Sequence, residues 1–179
     1  MSVNPTRGAD DGVPAPVVQI PTAQIPTVRI PTAERMRALG ARLADVLRPG
    51  DLIVLSGPLG AGKTVLAQGI AAGLGVRETV TSPTYVLSRI YADGRIPLVH
   101  VDAYRLGAAA EADDLDLDAD ADRSVTVVEW GAGLVEGLAQ DHLEVVLTRP
   151  TADESGEVRT VRLLASGPSW TARLRGLSS

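Results

Sequence analysis

Apolar residues fall along this chain in short runs separated by glycine, proline and acidic turns. Asp51-Leu52-Ile53-Val54-Leu55-Ser56 is a continuous apolar run of strand length, which predicts a buried strand. Before it, Met36, Leu39, Leu43 and Val46/Leu47 recur at helical spacing. Thr32 supplies an N-cap and Arg48-Pro49-Gly50 a stop, so a helix is predicted over about 33–47. After the strand, Val65, Leu66, Gly69, Ile70 and Leu74 mark a second helix that Gly75 can end. Thr79 to Tyr91 reads as extended, Asp93-Gly94 as a hairpin turn, and Ile96 to Asp102 as a further strand. Val125 to Val128 is a buried strand leading into Glu129-Trp130. Leu143 to Leu147 and Val158 to Leu164 flank a Ser155-Gly156 turn and predict a terminal antiparallel hairpin. Trp170, Leu174 and Leu177 suit a short C-terminal helix.

Strands interleaved with helices predict an α/β fold of three layers: a central, mostly parallel sheet with antiparallel strands at its edges. The domain is expected over 32–165, with 166–179 a tail or short helix. Residues 1–31 read as a disordered tail, because Pro5, Pro14, Pro16, Pro21, Pro26 and Pro31 forbid regular helix. Within it Ile20-Pro-Thr, Ile25-Pro-Thr and Ile30-Pro-Thr repeat every five residues, as a solvated extension or a docking segment. The acidic run Glu111, Asp113, Asp114, Asp116, Asp118, Asp120 and Asp122 reads as a loop and helix with a solvated face.

Composition narrows the function classes. The chain has no cysteine, which excludes disulfides and thiolate metal sites. A net charge of −5 argues against tight, independent nucleic-acid binding. No apolar run approaches membrane-spanning length and no secretory leader is evident, so a cytoplasmic protein with no membrane partner is expected.

Lys63 is the only lysine, the other 16 of the 17 basic residues being arginine. It lies in Gly57-Pro58-Leu59-Gly60-Ala61-Gly62-Lys63-Thr64, which fits G-x-x-x-x-G-K-[ST], the Walker A phosphate loop. A loop wrapping a pyrophosphate needs inward backbone N–H groups and no obstructing Cβ, hence Gly57, Gly60 and Gly62. The amides of Leu59, Ala61 and Val65 belong to the same cradle, and the helix opened by Thr64 favours an anion at its N-terminus. The Lys63 ammonium is a compact charge able to reach the β and γ phosphates of ATP. The Thr64 hydroxyl is placed for Mg²⁺.

Three further features belong at the C-terminal edge of the sheet, where α/β folds bind ligands. Thr81-Ser82-Pro83-Thr84 could present hydroxyls to the γ-phosphate or metal as a switch loop does, or be an ordinary proline turn. Asp102, ending an apolar strand, is either a Walker B acid or a cap for the next turn. Glu129 could orient the attacking water, or exchange roles with Asp102 as the metal-side acid. Trp130 could stack on a base or fill the core. His100, alternating with Val99 and Val101, reads as a packed and hydrogen-bonded strand residue rather than a metal ligand.

Together these segments resemble the bacterial TsaE family, from about Thr32 to Leu164. The phosphate loop is generic. The combination of Ser82-Pro83-Thr84, His100-x-Asp102-x-Tyr104-Arg105-Leu106 and Glu129-Trp130 is specific. The resemblance implies an ATPase, slow without partners, that supports threonylcarbamoyladenosine synthesis beside the tRNA anticodon. It implies work with TsaD and TsaB, contact with tRNA only through that complex, and a monomer or weak oligomer alone. Lys63 and Thr64 would hold phosphate and Mg²⁺, Thr84 would act in the switch-like loop, and Asp102 would be the Mg²⁺-side acid. Glu129 and Trp130 would support hydrolysis or nucleotide contact. Pro58 stands where the family usually has an acid, Tyr85 where Phe is usual, and Gly131 where Pro is common. A P-loop small-molecule kinase and a nucleotide-sensing module with little turnover are the alternatives. A GTPase is disfavoured because a chain with one lysine cannot also supply Asn-Lys-x-Asp.

Overall fold

The computed structural model describes residues 22–24, 27–83, 87–105, 121–133, 141–149 and 158–175. Its strands are β1 (Thr22–Gln24), β2 (Val28–Ile30), β3 (Leu52–Ser56), β4 (Ser88–Tyr91), β5 (Leu98–Asp102), β6 (Val125–Glu129), β7 (His142–Thr148) and β8 (Arg159–Ser166). Its α-helices are α1 (Ala33–Ala44), α2 (Lys63–Leu74) and α3 (Pro168–Arg175). The strands form one sheet in the order β1-β8-β7-β3-β6-β5-β4, with β2 also on β8. β7, β3, β6 and β5 are mutually parallel, and the hairpins β4–β5 and β7–β8 place antiparallel strands on both flanks. The expected mostly parallel α/β sheet with antiparallel edges is what forms.

Strand alternation divides the core. Ile53 and Leu55 of β3 join Leu98, Val125, Val127, Leu143 and Val145 on the face covered by all three α-helices. Leu52 and Val54 point the other way, with Val99, Val101 and Val128. The acidic run from Glu111 to Asp120 lies outside the described residues.

Thr32 is the N-cap of α1, its hydroxyl accepting from the Arg35 amide at 3.2 Å. Gly75 ends α2 in the left-handed region, φ 83°. The two helices meet at backbone contact. A Cβ on Gly40 would lie 2.5 Å from the Leu66 carbonyl oxygen, and one on Gly69 would collide with the Arg37 carbonyl. This close approach fixes the N-terminus of α1 beside that of α2.

One sequence expectation changes. Val28–Ile30 is not tail but strand, and Thr22–Gln24 is strand as well; both pair antiparallel with β8. Prolines at 21, 26 and 31 leave four-residue stretches between them, three residues of each forming the strand. Such stretches can pair on one side only, and an edge position asks no more. Ile30 is buried in the core at 4% exposure. At the other end, of the tail or short helix expected over 166–179, the helix is what forms over Pro168–Arg175, and it is docked on the domain. Trp170 is fully buried, and the Arg173 guanidinium makes a paired contact with Asp51, Nη1–Oδ2 2.6 Å and Nη2–Oδ1 2.9 Å.

Candidate functional site

The phosphate loop connects the C-terminal end of β3 to α2 at the centre of the sheet. Gly57 has φ 141° and packs so closely on β7 that a Cβ would strike the Leu147 carbonyl. Gly62, at φ 103°, is the N-cap of α2. At both, glycine is required by backbone conformation.

Lys63 is the first residue of α2 and is 4% exposed. Its Nζ donates to the Gly57 carbonyl at 2.8 Å and the Pro58 carbonyl at 3.0 Å, and lies 3.6 Å from the centroid of the Trp130 ring. Burial pushes the ammonium below the ordinary lysine value of 10.5, while Glu129 and then Asp102 oppose that shift by charge. Pro58, which lacks an amide, still contributes through its carbonyl, which also accepts from Ala61 N at 3.2 Å.

Strand order decides which acid stands beside the loop. β6 is the parallel neighbour of β3, and Leu55 pairs with Glu129. β5 lies one strand further out, and Asp102 pairs with Glu129. The Thr64 hydroxyl accordingly donates to Glu129, with Oε1 at 2.9 Å and Oε2 at 3.2 Å. His100 Nε2 lies 2.9 Å from Glu129 Oε1. Asp102 has a different set of partners. Its Oδ1 accepts from the Tyr104 amide at 3.0 Å, which caps the 3₁₀ turn Ala103–Arg105, and its Oδ2 accepts from Ser82 Oγ at 3.4 Å.

Trp130 follows β6 with φ 63°, an uncommon conformation for a residue with a side chain. Its amide donates to the Leu55 carbonyl at 3.0 Å, and its ring meets that of Tyr104 at 5.1 Å between centroids, tilted by 56°. The strained backbone turns the indole over Lys63 instead of into the core.

These groups border one cavity of about 300 Å³. Leu59, Gly60, Gly62, Lys63, Thr64, Val65, Asp102, Glu129 and Trp130 line it, together with Ser82. Gly57 and Ala61 stand behind it, the first as a carbonyl partner of Lys63 and the second fully buried. Thr84 lies outside the described residues. Thr32, Ala33 and Met36 from the start of α1, and Arg159 from the start of β8, line the cavity too, though the sequence pattern marked Thr32 and Met36 only as cap and helix face. A signal for Arg159 existed: it shares strand parity with Val161, Leu163 and Ala165, so a cation occupies an otherwise apolar face.

The donor set suits a hard cation and a polyanion. A Thr64 hydroxyl whose hydrogen goes to Glu129 keeps its oxygen lone pairs available, and a carboxylate oxygen is the other ligand type Mg²⁺ favours. The glycine cradle with its single ammonium matches a phosphate chain.

A parallel sheet whose central strand turns through a glycine loop into a helix opened by Lys-Thr, with an acid on the adjacent strand, defines a P-loop α/β protein. The model of the family Threonylcarbamoyl adenosine biosynthesis protein TsaE matches residues 30–159, and the chain belongs to the TsaE family. A Streptomyces coelicolor relative, named tRNA threonylcarbamoyladenosine biosynthesis protein TsaE, is 54% identical over 139 residues, 75% of this chain and 93% of the relative. The Bacillus subtilis protein of the same name is 39% identical, covering 68% of this chain and 76% of its own. The crystal structure of Bacillus subtilis YdiB superposes with a TM-score of 0.74 at 31% identity, over 89% of this chain and 97% of that one.

Proposed function

We propose that this chain binds ATP with Mg²⁺ at the phosphate loop and hydrolyses it. It does so as an accessory protein in making threonylcarbamoyladenosine on tRNA, acting on the TsaD–TsaB complex in the cytoplasm and reaching tRNA through it. The observation that carries the nucleotide reading is the bond from Thr64 to Glu129 beside the buried Lys63. The family membership carries the pathway.

Lys63 would exchange the Gly57 and Pro58 carbonyls for phosphate oxygens, a partner exchange that keeps its charge compensated. Thr64 and Glu129 would hold Mg²⁺, which when bound neutralises charge developing on the phosphate oxygens. Asp102, one strand further out and beside Ser82, is then the acid left to orient the water that attacks the γ-phosphorus as the bond to ADP breaks. Trp130 would close the site over the lysine side.

Phosphate release from ATP and Mg²⁺, measured with and without TsaD and TsaB, tests the proposal. Slow release alone that rises with the partners is expected. Transfer of phosphate to a metabolite would move the reading to a kinase, and no turnover under either condition to a nucleotide-sensing module.

A further inference from the structure

His100 is fully buried in the middle of β5, between Val99 and Val101 and paired across the sheet with Val127. Its Nε2 is 2.9 Å from Glu129 Oε1, while its Nδ1 has no hydrogen-bond partner among the described residues. A buried polar atom without a partner costs about 1–3 kcal/mol. An aliphatic side chain at this position would leave no such atom. Against that cost stands the one bond the imidazole supplies, to the buried carboxylate of Glu129.

We infer that His100 is a positioning residue for Glu129. Strand parity places His100 and Glu129 on the same face of the sheet, with Asp102 the direct cross-strand partner of Glu129 and His100 the diagonal one. Facing a carboxylate, which only accepts, Nε2 is the donor. It engages Oε1 from the strand side, while Thr64 Oγ1 lies within reach of both oxygens from the helix side. The carboxylate is thus held from two directions, which fixes its rotation. Without His100, Glu129 would keep its charge but not its orientation, and outer partners of this kind are worth about 10–100-fold in metal affinity or activity. This rests on the reading that Thr64 and Glu129 hold Mg²⁺ for ATP.

The test compares ATP affinity in EDTA and in Mg²⁺ for the full chain, His100→Leu and His100→Gln. His100→Leu should bind ATP in EDTA as tightly as the wild type, because the phosphate loop is untouched. Its Mg²⁺-dependent gain in affinity should fall about tenfold, with a matching rise in half-saturating Mg²⁺. His100→Gln, whose amide can still donate to Glu129, should recover most of the loss. Should His100→Leu fail to fold, His100→Asn replaces it, since its shorter amide does not reach Glu129. An undiminished Mg²⁺ gain in the variant without the donor would overturn the inference, as would His100→Gln behaving like His100→Leu. Failure of the ATPase reading itself would show separately, as a wild type that binds no ATP in either condition.

Discussion

The Lys63 ammonium rests against the face of Trp130, 3.6 Å from the ring centroid, while bonded to two carbonyls of its own loop. A phosphate chain entering the cavity competes for all three of these contacts. Lys63→Ala should therefore abolish ATP binding and leave the fold intact. Trp130 should report the exchange: in a Trp170→Phe background, its emission should change on addition of ATP and Mg²⁺, and should not change in Lys63→Ala. Calorimetric binding without any change in emission would show that the indole does not sense the ligand.

Glu129→Ala should retain nucleotide binding in EDTA but lose the Mg²⁺-dependent gain in affinity and lower hydrolysis by at least about a hundredfold, because the loop that grips phosphate remains while Thr64 loses its partner. Binding in EDTA and phosphate release in Mg²⁺, measured on one preparation, separate the two effects. Affinity collapsing equally with and without metal would place Glu129 in loop folding instead.

The buried ammonium also makes stability depend on pH. The native state holds the Lys63 proton less tightly than the unfolded chain, whose lysine titrates near 10.5. Between the lowered native value and 10.5 the unfolded state binds more protons, so the cost of burying the ammonium is fully present below that window and is relieved as pH rises through it. Unfolding free energy of the nucleotide-free protein, compared with Lys63→Met between neutral pH and pH 10.5, should show this upward contribution in the wild type only. Parallel curves would contradict it.

Asp51 and Arg173 join the turn before β3 to α3, and each side chain is only 9% exposed. Asp51 also accepts from the Arg48 amide at 2.7 Å, and the guanidinium lies over the Trp170 ring at 3.9 Å. Arg173→Ala strands a buried carboxylate and should cost about 3 kcal/mol in urea unfolding. A loss under about 1 kcal/mol would mean the pair behaves as a surface contact.

Gly69 is where α2 touches the Arg37 backbone of α1. Gly69→Ala should force the helices apart, cost about 1–3 kcal/mol, and weaken nucleotide binding because Thr32 and Ala33 leave the cavity wall. Full nucleotide affinity in a destabilised variant would confine the effect to packing.

Much of this was legible in the sequence where a local rule governs. The period of Met36, Leu39 and Leu43, the Thr32 cap, the Gly75 stop and the apolar run of β3 each depend on neighbours a few residues away, and each formed. The loop was legible because its glycines answer to backbone sterics. Which acid stands beside Thr64 was not, since it depends on β6 rather than β5 lying beside β3, an order that no local pattern encodes. Thr64 and Glu129 are 65 residues apart in the chain. The edge strands escaped for the same reason: prolines at five-residue intervals read as extended chain, and only the distant β8 turns extension into pairing.

That last feature bears on how the protein is handled. β1 and β2 lie end to end along the outer rim of β8, the longest strand of the sheet. A version lacking residues 22–30 would uncover that rim and leave a row of backbone donors and acceptors unpaired. Residues 22–24 and 28–30 thus keep the last long strand from ending the sheet bare, and their removal would open it to pairing with a second copy.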